Sequence, residues 1–301
     1  MNKRPVWTTD RSTAGSQELA RFAPPSCRRM TAARTISPGQ LGKTMLNKVP
    51  EITFWFWVIK IMCTTVGETA ADYLNVNLGF GLSNTTYVTA ALLAVLLLVQ
   101  FRLRRYVPVV YWAAVVVISV FGTLITDNMT DAHNVPLTTS TPIFAAILAV
   151  IFAVWYAVER TLSIHTIVTT RREAFYWLAI LFTFALGTAA GDLVAEKFSL
   201  GYGVSILIFG AVIAAIAFAH YVAHVNAVLT FWLAYIMTRP LGASIGDWMS
   251  QHSHKYGGLG LGTTGTSYIF LGCIFVLVAY LSITKRDQTP PERSLPDSAA
   301  A

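Results

Sequence analysis

Two carboxylates, Glu68 and Asp72, stand one helical turn apart in TTVGETAADYL, from Thr64 to Leu74, at the end of a stretch that otherwise reads as membrane-spanning. A charge facing lipid is costly, so such residues turn inward and mark ion pathways, proton relays or buried ion pairs. The aspartate recurs three times. WVIKIMCTTVGETAAD from Trp57, WAAVVVISVFGTLITD from Trp112, WLAILFTFALGTAAGD from Trp177 and WLAYIMTRPLGASIGD from Trp232 all fit W-x9-G-x4-D. The candidate cation-handling residues are therefore Asp72, Asp127, Asp192 and Asp247, together with Glu68. One more deep charge, Arg239, lies seven residues past Trp232. Pro240 follows it and lacks a backbone N–H, which predicts a kink and a locally opened helix. Glu68 and Arg239 have no equivalents in the other repeats. A buried arginine needs a carboxylate; Glu68 is the expected partner and Asp72 the fallback.

Residues four apart share a helical face. The stripes through the aspartates read Lys60–Thr64–Glu68–Asp72, Val115–Ser119–Thr123–Asp127, Ile180–Phe184–Thr188–Asp192 and Tyr235–Arg239–Ala243–Asp247. They are more polar than the rest of each helix, so they are expected to face a shared interior, and Thr64, Thr123 and Thr188 join the candidate pathway. The glycines and their small neighbours let helix backbones approach closely. His133, His252 and His254 follow Asp127 and Asp247 in loops and form a loosely spaced candidate metal site, since aspartate and histidine suit divalent transition metals. No nucleotide-binding G-x-x-x-x-G-K-[ST] loop, H-E-x-x-H helix or G-x-S-x-G elbow occurs. No catalytic residue is assigned, no cofactor is expected and an enzyme is not the expectation.

The elements that position these residues follow from composition. The chain has 301 residues, of which 54% are hydrophobic and 12% charged, about half the charged fraction of soluble domains. The apolar residues fall in runs of about twenty, enough to cross a bilayer. Spans are expected at 52–75, 84–103, 108–130, 141–159, 173–196, 203–222, 226–250 and 264–284, as four tandem two-helix repeats at about 50–105, 106–160, 170–222 and 225–284. The turns LGFG, LGYG and LGLG recur in repeats 1, 3 and 4, and VPLTTS replaces them in repeat 2. Residues 1–44 and 287–301 read as polar, disordered tails around a membrane domain at 45–286, and Met45 opens a natural membrane-protein start. Lys43, Lys48, Arg102, Arg104, Arg105, Arg160, Arg171, Arg172, Lys285 and Arg286 flank one side, against Lys197 and Lys255 on the other. This asymmetry places both termini in the cytoplasm and the motif tryptophans in an interfacial belt. The aspartates then lie roughly 22 Å further along each helix, near its outer end. The net charge of +7 reports topology rather than nucleic-acid binding.

These motifs, TTVGETAADYL in the first copy and TRPLGASIGDW in the last, resemble a bacterial family of multi-spanning proteins, usually labelled membrane-anchored, built from a tandem repeat of unknown function. The resemblance covers about Met45 to Arg286 and is weakest in repeat 2. It implies a topology, no activity and no site residue. The expected protein is an all-α, eight-span integral protein of the cell (inner) membrane, its repeats parallel with symmetry axes along the membrane normal. Its expected function is secondary transport of a cation, a proton or a metal ion. The alternative is a structural or signalling membrane protein whose buried charges only specify helix packing. The expected partners are the lipid bilayer and a cation; a homo-oligomer is left open.

Overall fold

The computed structural model describes residues 47–252 and 257–288; the 1–44 tail and His254 lie outside them. Among the described residues there are eight α-helices: α1 (Phe54–Asp72), α2 (Leu82–Arg102), α3 (Pro108–Asp127), α4 (Leu137–Glu159), α5 (Thr170–Asp192), α6 (Tyr202–Tyr221), α7 (Ala227–Ser250) and α8 (Gly262–Thr284). Helices α2 to α8 are each long and apolar enough to cross a membrane, and the protein is an integral membrane protein. Helix α1 is not among these seven; its 19 residues include Lys60, Glu68 and Asp72.

The odd-numbered helices carry the W-x9-G-x4-D phrase and form the inner layer. Helix α1 packs on α3 and α7, and α5 packs on the same two, so the four close into a ring. More than half of the spans containing α3, α5 and α7 is buried, against less than a third of α2, α4, α6 and α8. The outer helices pack across the repeat boundaries. Helix α2 packs on α3 of the following repeat rather than mainly on its own α1, and likewise α4 packs on α5 and α6 on α7. The last, α8, returns to α1.

The chain is carried sideways between the two helices of a repeat by a recurring device. In repeats 1 to 3 the motif aspartate is followed by a five-residue π turn, at Tyr73–Asn77, Asn128–Ala132 and Leu193–Lys197. Residues with positive φ then redirect the backbone: Gly79 and Gly81, Asn134, and Ser199 and Gly201. The Leu-Gly turns thus supply conformations that glycine adopts without steric cost, and repeat 2 reaches one with asparagine, which tolerates the left-handed region. Among the described residues repeat 4 has no such π turn.

Of the expected 287–301 tail, only residues 287–288 are described. Asp287 is buried, and Tyr106 donates to its carboxylate at 2.6 Å while Glu51 donates a backbone N–H to its carbonyl at 2.9 Å. Burial pushes the Asp287 carboxyl above the usual carboxylate range despite the Tyr106 bond, and burial also raises Tyr106.

Candidate functional site

The motif glycines decide how the inner helices meet. A Cβ on Gly67 would overlap Ser119, one on Gly122 would overlap Phe184, one on Gly187 would overlap Arg239, and one on Gly242 would overlap Thr64. Each glycine sits five residues before its aspartate, and each intruding residue sits eight before the aspartate of the next repeat. Repeat 4 docks on repeat 1 in the same way. Hydroxyls reinforce these seams: Thr65 donates to the Gly242 carbonyl at 3.1 Å and Thr126 to the Ala185 carbonyl at 2.9 Å.

This docking turns the four stripes inward. Lys60, Thr64, Ser119, Thr123, Phe184, Thr188, Tyr235 and Arg239 are all fully buried. Arg239, from α7, reaches the other three inner helices. Its Nη1 donates to the Thr64 carbonyl at 2.7 Å, and its Nη2 lies 3.0 Å from Glu68 Oε2. Nη2 also donates to Thr188 Oγ1 at 2.7 Å and to Thr123 Oγ1. Thr123 in turn donates to Glu68 Oε2 at 3.4 Å. The expected Glu68–Arg239 pair is thus part of a cluster joining all four repeats. The expected opening of the helix at Pro240 is corrected: α7 runs unbroken from Ala227 to Ser250. The proline ring lies against Gly187, and the Pro240 backbone against Gly191, where missing side chains leave room.

Above this cluster a cavity of about 470 Å³ opens. All four motif aspartates, Asp72, Asp127, Asp192 and Asp247, line it, with Glu68. Two further carboxylates, Asp131 and Glu196, complete its acidic wall, and among the described residues no lysine, arginine or histidine lines it. Asp247 accepts from Gln251 at 3.2 Å. Asp72, Asp127 and Asp192 take no hydrogen bond or ion pair from the described residues. Sequence reasoning missed Asp131 and Glu196, although both lie four residues past a motif aspartate. The equivalent residues in repeats 1 and 4, Val76 and Gln251, also line the cavity. Continuing each stripe by one turn would have found all four.

Below Arg239 the interior is closed. Lys60 donates to Thr238 Oγ1 at 3.1 Å, with its ammonium 4.0 Å from the Tyr235 ring centroid and 4.6 Å from that of Phe184. No carboxylate of the described residues is within 4.0 Å of it. Beyond it lies an aromatic plug, which corrects the interfacial belt. Trp112, Trp177 and Trp232 are buried in the core, and Trp57 is half-buried. The aromatic residue before each motif tryptophan packs on the tryptophan of the next repeat: Phe56 on Trp112 at 5.7 Å, Tyr111 on Trp177 at 5.5 Å, Tyr176 on Trp232 at 6.2 Å and Phe231 on Trp57 at 5.7 Å. Aromatic pairs favour such offset and edge contacts. The doublet signal, Phe-Trp or Tyr-Trp in every repeat, was present in the sequence.

Of the candidate histidines, the two that are described, His133 and His252, are not drawn into the site. His133 is exposed and its Nδ1 lies 2.6 Å from the Asn128 carbonyl; His252 is also exposed. Neither lines the cavity. Among the described residues no group of three or more His, Cys, Asp and Glu side chains is placed to hold a metal ion.

Comparison with protein families finds four copies of the Repeat of Unknown Function (DUF347), over residues 55–106, 110–161, 175–226 and 230–287. No curated protein and no solved structure matches the chain. The chain belongs to the DUF347 repeat family.

Proposed function

We propose that this four-repeat membrane protein is a secondary transporter that carries a cation through the inner ring, with the acidic cavity as its vestibule. The observation that supports it most is the composition of the cavity wall among the described residues: seven carboxylates, no basic residue, and three motif aspartates whose side chains have no hydrogen-bond donor. Fixed negative charge in a recess concentrates cations there. A cation that advances to Glu68 competes with Arg239, so the pair acts as a gate, and the hydroxyls of Thr123 and Thr188 supply neighbouring oxygens. The Lys60 layer and the aromatic plug keep the far side shut. Alternating access then requires the inner helices to re-pack along their glycine seams.

In this reading α1 is the eighth span. It would have to be, because its polar stripe is enclosed by the ring. The four repeats run parallel, related by an axis along the membrane normal. The asymmetry of the basic flanks places the termini in the cytoplasm and the cavity at the outer face. Residues 45–286 carry the activity and residues 1–44 are dispensable.

A flux assay in liposomes, with protons and a panel of metal and organic cations, tests the proposal. Saturable uptake of one cation, reduced at least tenfold by Asp127→Asn, is the expected result. Correctly folded protein that moves no cation would favour the structural or signalling reading, in which the Arg239 cluster only fixes how the repeats assemble.

A further inference from the structure

We infer that the cavity takes an organic oligoamine, a methylene chain bearing two or more ammonium groups, rather than a bare metal ion; this builds on the carrier reading by naming its substrate class. The first argument is size. The cavity holds about 470 Å³, within the range of sites for small organic molecules and many times the roughly 30 Å³ share of one water.

The second argument is how the acceptors are spread. A dehydrated divalent cation needs several oxygens converging at about 2.0–2.6 Å. The cavity carboxylates form no such group. Instead they occupy successive levels of the inner helices and of the π turns that continue two of them. Glu68 lies one turn below the aspartate level, and Asp131 and Glu196 lie one turn above it. The eight residue steps from the lowest level to the highest span roughly 12 Å at helical rise, about the extended length of a chain of ten single-bonded atoms. A ligand with charges placed along its length meets these levels together, which a point charge cannot.

The third argument is that polar atoms inside the recess are left open. Glu68 and Asp247 are 7% and 5% exposed. Each uses one carboxylate oxygen within the protein, Glu68 Oε2 toward Arg239 and Thr123 and Asp247 Oδ1 toward Gln251. The second oxygen of each has no partner among the described residues, and both side chains line the cavity. These oxygens are accessible from the cavity rather than sealed in the protein, and an ammonium group with its three donors matches them. The fourth argument is the apolar part of the wall. Val76, Val135, Pro136 and Leu137 line the same space and offer methylene groups a surface that a hydrated metal ion would not use.

The test is calorimetric titration of the purified full-length chain in detergent with n-butylamine, putrescine, spermidine, Mg²⁺ and Mn²⁺ at one ionic strength, beside liposome flux of the same cations. Affinity is expected to rise at least tenfold from the monoamine to the diamine and again to the triamine. The divalent metals should bind at least tenfold more weakly than spermidine. Asp127→Asn and Asp192→Asn should each weaken spermidine binding at least fivefold. Val135→Thr should weaken the amines but leave the metals unchanged, which simple charge attraction would not do. If the aspartate variants do not fold, a larger thermal stabilisation of the wild-type chain by spermidine than by equal Mg²⁺ supports the inference, and the reverse overturns it. Divalent binding as tight as spermidine, affinity independent of amine number, or no amine binding by folded protein would also overturn it. Spermidine binding without flux would support the inference and overturn the carrier reading. Metal flux without amine binding would do the opposite, and absence of both would overturn both.

Discussion

At one end of the inner ring the buried carboxylates are held by donors, and at the other most of them are not. Lys48 lies 2.7 Å from Glu173, and Gln100 donates to the same carboxylate at 3.3 Å. Asp287 is bound by Tyr106, and a four-repeat circuit of aromatic rings fills the space between the helices. At the cavity end, seven carboxylates face one another around open space. Burying unmatched polar groups costs stability unless something outside the chain meets them. The closed end therefore reads as built for stability and the cavity end as built for a ligand. The Arg239 cluster is the boundary between them, and it belongs energetically to the closed side.

The sharpest way to break this comparison is Arg239→Gln. It leaves Glu68 without its counter-ion and removes the contacts that join α7 to three other helices. Breaking a buried pair costs about 3–5 kcal/mol, and unfolding in detergent should read a loss of that size. Glu68→Gln should lose a similar amount, and the double variant should lose less than the two together. Strict additivity would mean that the two residues do not act as a pair. Lys48→Met probes the closed end in the same way. With Gln100 still donating to Glu173, the loss should be about 3 kcal/mol. A loss under 1 kcal/mol would show that the closed end does not depend on matched charge.

Seam glycines give a smaller effect. Gly122→Ala drives a methyl into Phe184, and overpacking of this kind costs about 1–3 kcal/mol. Gly210→Ala on α6, where no neighbour lies within 4 Å, should instead gain about 0.5–1 kcal/mol from helix propensity. Equal effects at the two positions would argue against the glycine seams. The smallest expected change in stability is at the cavity itself. Asp127→Asn removes a charge that has no donor among the described residues, so unfolding should shift by no more than about 0.5 kcal/mol while cation binding falls. A large destabilisation there would place this aspartate with the structural charges and erase the difference between the two ends.

Much of this architecture was legible before any coordinates. The phrase W-x9-G-x4-D, together with the 3.6-residue period, determined that Thr64, Glu68, Thr123, Thr188 and Arg239 share an interior, because polar side chains in a membrane bundle avoid lipid. The same reasoning paired Glu68 with Arg239. The cavity was half legible: its aspartates were marked, but Asp131 and Glu196 were not, because the stripes were stopped at the motif's last residue. The tryptophans were misplaced because an aromatic residue near a helix end suits an interface and a packed plug equally well; only the neighbours of its ring distinguish them.

The sequence by itself determined the inner and outer helices, the repeat length and the set of faces that must be buried. Only the tertiary structure decided which helix meets which. An isolated repeat does not state whether its second helix packs on its own first helix or on the next one. Nor does it state which side chain a motif glycine will receive. Those answers depend on contacts between residues more than fifty positions apart, such as Gly67 with Ser119, and, where the ring closes, on Gly242 receiving Thr64. Helical periodicity is a local property and selects a face. The closing of four such faces around one arginine is a matter of steric fit, and steric fit exists only once all four helices are in place.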